Sequence, residues 1–210
     1  MKTIILYGIL LFNIFFQNVI STQRVSYGIA LDESKTIFLD KTEIPVIEWC
    51  FYYNLTKDSV GYPSALPDTA MFRKLYGYSF LISKGMSKNE ADNMFTKHKK
   101  LPMSCISYKQ AVQFCKWRTK QLESDKLRIE YTLPTVNDYE KALKKASITS
   151  NPPISTLKMK MALFTGITDN VAEFTLNEKI ILNGGNSDSI EFSESTPLPI
   201  GIRCKAIVIE

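Results

Sequence analysis

Histidine is almost absent from this sequence: His98 is the one histidine in 210 residues. That scarcity excludes a histidine-clustered iron or zinc centre. It also forces any Ser-His-Asp relay through a single position, beside which nothing places a nucleophile. Cysteine is sparse as well. There are four, Cys50, Cys105, Cys115 and Cys204, and no two are spaced as CxxC, which removes the usual zinc and redox signatures. Charge of one sign is only modestly in excess, the formal net charge being +5. Lysines gather at Lys97, Lys99 and Lys100 and again from Lys141 to Lys160, without a stripe of interleaved aromatics. They read as a solvated surface, and no nucleic-acid partner is expected. Beyond the N-terminal stretch no apolar run approaches the ~20 residues of a membrane span. No internal repeat is visible.

What is present begins with a leader. Lys2 supplies a positive start, Ile4 to Phe16 is mostly apolar, and Val19-Ile20-Ser21 suits cleavage before Thr22. Residues 1–21 are therefore expected to be a signal peptide, with an uncleaved anchor as the alternative, and 22–210 a single domain. No cysteine precedes Cys50, so no lipid-accepting position exists. The mature chain is expected to be exported and soluble, in the periplasm, the cell envelope or outside the cell. It should carry neither a lipid anchor nor a transmembrane segment after cleavage. Export permits disulfides, and four cysteines allow three pairings.

The remainder reads as short elements in irregular order, which argues α+β rather than a parallel sheet. Ser107 lies three residues before Gln110 and Thr135 three before Asp138, each pair suited to open a helix. The first of these helices should bury Ala111, Val112, Cys115 and Leu122; the second, Val136, Tyr139, Leu143 and Ala146. Ser87 with Glu90 caps a third, with Ala91, Met94 and Phe95 inside and His98 at an exposed basic end. Pro45 opens a fourth with Val46, Ile47, Cys50 and Phe51 as its apolar face. Strands are expected between Val25 and Leu39, at Ile180-Ile181-Leu182, and as one closing strand over Ile200–Ile209. Lys144 to Lys160 reads as loop and Asn183–Asn186 as a turn. Phe72, Tyr76, Tyr78 and Phe80 form an aromatic stretch. It reads as core, and as a candidate ligand groove through Phe72, Tyr76 and Tyr78.

The order of these motifs resembles the formylglycine-generating-enzyme family, also called the sulfatase-modifying-factor domain. Glu43-Ile44-Pro45-Val46 with Trp49 is similar to the family's helix entry. Pro102, Ile106, Ser107, Tyr108, Gln110, Ala111, Phe114, Cys115 and Trp117 match its central helix signature. Leu133, Pro134, Thr135, Tyr139 and Glu140 match the next. Asn170, Val171, Glu173 and Phe174, then Gly184 and Gly185, then Gly201, Ile202, Arg203 and Cys204 follow in the family's order, over about residues 36–208. Leu66–Thr69 and Trp117–Thr119 look closest to the gliding-motility and type IX secretion lipoproteins of Bacteroidetes, whose lipid-accepting cysteine is missing here. The resemblance implies a compact α+β fold related to C-type lectins and a disulfide between Cys115 and Cys204. Cys50 and Cys105 either pair or stay as thiols.

The resemblance also says where chemistry would sit. The family's enzymes hold copper between two cysteines in the segment corresponding to Gly185–Gly201, and this chain has none there. A carboxylate or hydroxyl does not replace a thiolate toward Cu(I). A calcium site would draw on Asp169, Val171 and Glu173, but Gly166 stands where a side-chain oxygen is expected; Glu173 alternatively pairs with backbone N–H groups or Arg203. The expectation is an exported, non-catalytic module with an envelope protein partner, no catalytic residues, and no cofactor beyond a possible calcium. The alternatives are a divergent oxidoreductase with a non-standard site and a carbohydrate- or peptide-binding module.

Overall fold

The computed structural model describes residues 28–59, 64–81, 86–98, 101–122, 128–149, 171–182, 189–191 and 199–209. The leader, the turn at Asn183–Asn186, Asp169 and most of the acidic stretch before Pro199 lie outside these residues. Mixed helices and small sheets make the fold α+β. The helices are α1 (Val46–Thr56), α2 (Thr69–Tyr76), α3 (Lys88–His98), α4 (Tyr108–Leu122) and α5 (Val136–Thr149). The strands are β1 (Gly28–Ala30), β2 (Ile37–Asp40), β3 (Arg128–Thr132), β4 (Ala172–Phe174), β5 (Ile180–Leu182), β6 (Ser189–Glu191), β7 (Ile200–Gly201) and β8 (Lys205–Ile209).

Two four-stranded sheets form, in the orders β1-β2-β8-β3 and β6-β5-β4-β7. The first is antiparallel throughout, with β8 central: Ile37 faces Ile207 on one side and Thr132 faces Lys205 on the other. In the second, β4 runs antiparallel to β5 but parallel to β7. A β-carbon on Gly201 would sit 2.5 Å from Val171 Cγ2, so only glycine lets β7 approach β4 this closely. The chain end is thus shared between sheets. Ile200–Ile209 is not one closing strand but β7 and β8, separated by Ile202, Arg203 and Cys204, all fully buried. Alternation hides this break, because Ile202 O accepts Ile44 N at 2.8 Å and Cys204 O accepts Asp40 N at 3.0 Å. Cys204 still pairs with Asp40 at the end of β2, while Ile202 pairs with Ile44 beyond that strand, so no single ladder runs from β8 into β7.

The caps appear as read. Ser107 N donates to Gln110 Oε1 at 2.8 Å and Gln110 N to Ser107 Oγ at 3.2 Å. Thr135 with Asp138 and Ser87 with Glu90 repeat that reciprocal pattern, which satisfies the orphan donors at a helix start. The buried faces are partly rotated from expectation. In α1 they are Val46, Trp49, Tyr52 and Thr56, not Ile47, Cys50 and Phe51, because the two large rings fill the centre of the core. Trp49 stacks on Phe114 with centroids 5.1 Å apart, and Tyr52 meets the same ring edge-on. In α5, Asp138, Tyr139 and Ala142 are buried while Val136 and Leu143 are half-buried. Helix α5 also continues through Lys144–Thr149, where a loop is expected; lysine and alanine there are good helix formers.

Sequence pattern alone assigns no helix to Thr69–Tyr76. Its signals are the Asp68 cap, whose Oδ1 accepts Met71 N at 2.9 Å, and Gly77 at φ 74° ending it. The strand β3 is likewise unassigned beforehand, its alternation reduced to Ile129 and Tyr131 as the buried pair.

Candidate functional site

Buried charge gathers where the break between β7 and β8 meets the helices. Arg203 is fully buried. Its Nη2 lies 3.0 Å from Glu173 Oε1, its Nε lies 3.1 Å from Glu173 Oε2, and its Nη1 donates to Asp40 O at 2.9 Å. Glu43 Oε2 stands 3.9 Å from the same guanidinium. Tyr139 donates its hydroxyl to Glu173 Oε2. Burial opposes the charge on Arg203, but the adjoining Glu173 carboxylate outweighs it, so the guanidinium's pKa lies above its usual range. Burial and the same carboxylate push the Tyr139 phenol well up.

A second pair lies beside the first. Asp40 Oδ2 accepts Arg118 Nη1 at 2.6 Å and Cys204 N at 3.1 Å. Arg118 reaches it from α4 and lies over the Tyr131 ring, 4.4 Å from the centroid. A third pair joins β8 to α5, Lys205 Nζ to Asp138 Oδ2 at 3.0 Å. Burial alone would raise the Asp138 pKa; the Thr135 backbone and hydroxyl donors, with Lys205, bring it below the ordinary value. Each cation is thus matched by a carboxylate from another element, as buried charges require. These pairs orient the chain end.

Two sequence-selected thiols meet here. Cys115 Sγ on α4 and Cys204 Sγ lie 3.5 Å apart, both buried and unbonded. Burial, then Cys115 itself, pushes the Cys204 thiol far above its ordinary value. Cys50 and Cys105 face different neighbours: Cys50 Sγ is 3.8 Å from His98 Nδ1 and Cys105 Sγ is 3.6 Å from Ser104 Oγ. Cys105 holds φ at 62°, in the left-handed region rare for side chains. Its carbonyl accepts Asp68 N at 2.9 Å, which ties the approach of α4 to the start of α2.

The candidate calcium residues divide. Asp169 lies outside the described residues, Val171 is half-buried, and Glu173 is 3 % exposed. Both Glu173 oxygens accept from Arg203 or Tyr139. A calcium ion, needing about six to eight oxygens, would have to displace a guanidinium there, and Glu173 as placed does not fit it. Among the described residues no three His, Cys, Asp or Glu side chains converge as a metal site.

The aromatic stretch turns inward. Phe72 and Phe80 are buried. Tyr76, half-buried, donates to Pro102 O at 2.7 Å and lies 2.8 Å from Ser104 Oγ. Tyr78, also half-buried, packs on His98 with centroids 5.4 Å apart. His98 itself corrects the expectation of an exposed helix end: it is 4 % exposed, whereas Phe95, expected inside, is 44 % exposed. The flanking lysines obscured the period. His98 lies four residues after Met94, on the same face of α3, and Met94 is buried.

Sequence reasoning missed Asp40, Arg118, Asp138 as an ion-pair partner, and Lys205, because a pairing across such separations leaves no local pattern. The geometry fits the motif order: Cys115 and Trp117 pack in the main core, Ser107 and Thr135 cap α4 and α5, and Tyr139 reaches Glu173. No curated protein and no solved structure matches the chain. Residues 37–162, more than half of the chain, match the model of the Sulfatase-modifying factor enzyme 1-like domain, and the chain belongs to that family.

Proposed function

We propose that this is an exported, non-catalytic member of its family, which uses the scaffold as a protein-interaction module of the cell envelope. The observation that carries this reading is the position of the cysteines. The segment Gly185–Gly201, where the resemblance puts the copper-holding pair, contains none. The four that exist sit on α1, before α4, on α4 and between β7 and β8. A Cu(I) centre needs thiolates, and without them the oxygen-dependent oxidation of a substrate cysteine has no seat. The buried ion pairs support the same reading, since Arg203, Glu173 and Tyr139 are spent on one another and Asp40 on Arg118. The finer relationship to gliding-motility and type IX secretion proteins, the C-type-lectin-like character of the fold, and a Cys115–Cys204 disulfide belong to this proposal.

Two measurements test it together. Cu(I) competition titration should give no stoichiometric tight site, and a cysteine-containing peptide incubated with the chain, copper and oxygen should keep its thiol by mass spectrometry. Crosslinking in native envelopes should recover a defined partner. Conversion of the peptide overturns the non-catalytic reading, and the absence of any specific crosslink overturns the module reading.

A further inference from the structure

The buried end of α3 is the part of the molecule that the ion-pair centre does not use. His98 closes that helix at 4 % exposure, among the rings of Phe72, Tyr78 and Phe80, at centroid distances of 6.5, 5.4 and 6.1 Å. Its Nδ1 lies 3.8 Å from the half-buried Cys50 thiol of α1. Its Nε2 is buried and has no hydrogen-bond partner among the described residues, and the same holds for the Tyr78 hydroxyl. A buried polar atom without a partner destabilises the arrangement that contains it. Met94 is the other buried residue of α3, so the helix is held largely by its histidine end.

Among the described residues, the titratable groups facing this imidazole are Cys50 from α1, Tyr78 from the segment after α2, and Tyr76 behind it. From α3 itself, Lys97 places its Nζ 5.3 Å over the Tyr78 ring. None is a carboxylate, and Lys97 adds positive charge. We infer that neutral His98 is a latch, and that its protonation releases α3 from the aromatic cluster and uncovers the Cys50 thiol.

The energetics agree in sign. Burial pushes the Cys50 thiol up to about 12 and lowers the His98 pKa, so both are neutral when α3 is closed. Opening returns the imidazole to its ordinary value near 6.5. Between the two values the open form binds a proton that the closed form does not. The open population therefore grows as pH falls, by about tenfold per pH unit below 6.5, until the closed form also titrates.

Cys50 reports on this motion. The purified chain, fully reduced and then freed of reductant, is reacted with 4,4′-dithiodipyridine from about pH 8 to about pH 4.5, the range that brackets histidine titration. Each rate is divided by that of a free thiol at the same pH, and the labelled cysteines are mapped. The relative rate at Cys50 should rise as pH falls below 6.5, by up to about tenfold per pH unit, with Cys115 and Cys204 still protected. As the chain has a single histidine, one imidazole signal should titrate by NMR below the ordinary value. His98→Phe, which keeps a ring without a proton site, should abolish the rise; His98→Gln does so with a polar side chain if the phenylalanine variant does not fold. A Cys50 rate that tracks the free thiol, a rise that survives either substitution, or simultaneous labelling of Cys115 and Cys204 overturns the latch.

Discussion

At the residue scale, Arg203 sets the strongest local demand. Its guanidinium is fully buried and is acceptable there because Glu173 takes it in a two-pronged contact at 3.0–3.2 Å. Removing one partner leaves the other as an unpaired buried charge. Arg203→Met should therefore cost about 3–5 kcal/mol in urea unfolding, while Arg203→Met with Glu173→Gln should recover a substantial part of that loss. Additive losses would mean the two side chains are not coupled. Asp138 makes a different demand. Its lowered pKa comes from donors that exist only in the fold, so its contribution is full above the unfolded value of 3.8 and is lost as pH falls through the lower folded value. Asp138→Asn should lower stability at neutral pH by roughly 1–2 kcal/mol through the lost cap and ion pair. It should also flatten the acid limb of a stability-against-pH curve below about pH 4 relative to the parent chain.

At the element scale, helix starts were the most legible feature of the sequence, since a capping box is written in four consecutive residues. Ser107, Thr135 and Ser87 cap as expected. Ser107→Ala should cost about 1 kcal/mol of thermal or urea stability. Gln110→Ala should cost more than that, because its Nε2 also donates to Ser64 O and Leu66 O at 2.7 Å and so fixes the segment before α2. Equal losses would show that those long-range bonds contribute nothing. Helix faces were less legible. In α1 the side chains alternate among Ile, Cys, Phe, Trp and Tyr, so nearly every position is apolar and the period gives no direction. Packing decided it, through Trp49 Nε1 donating to Ala65 O at 2.7 Å and the ring stack on Phe114. Charge misled the reading of α3, where Lys97 disguised a buried His98. The chain end misled it too, because alternating residues over Ile200–Ile209 fit one strand as well as two, and the ladder breaks only where Ile202 pairs with Ile44 outside β2. The cluster around Arg203 is half visible: Arg203 is among the partners the sequence offers Glu173, while Asp40 and Lys205 have no local signature.

At the scale of the whole molecule, one feature decides whether the chain end stays attached. Strand β8 is central to the first sheet, lying between β2 and β3, so the last residues of the chain complete the sheet that the first described residues begin. Beside the ladders to β2 and β3, the attachments already present include the ion pairs of Arg203 and Lys205 and the backbone bond from Asp40 to Cys204. All of them weaken together if β8 lets go, which makes the sheet a long-range closure with a large entropic cost. The thiols of Cys115 and Cys204 stand 3.5 Å apart on the two sides of that closure. In an oxidising compartment a bond between them would tie α4 to the chain end and close a loop of about ninety residues, worth about 4–5 kcal/mol in the loop-entropy model. The chain purified under oxidising conditions should then lose that much stability on reduction, with Cys115→Ser insensitive to reductant. A non-reducing peptide map should join the Cys115 peptide to the Cys204 peptide. A map that joins other cysteines, or stability unchanged by reductant in the parent chain, would show that burial and the ion pairs alone hold β8 in the sheet.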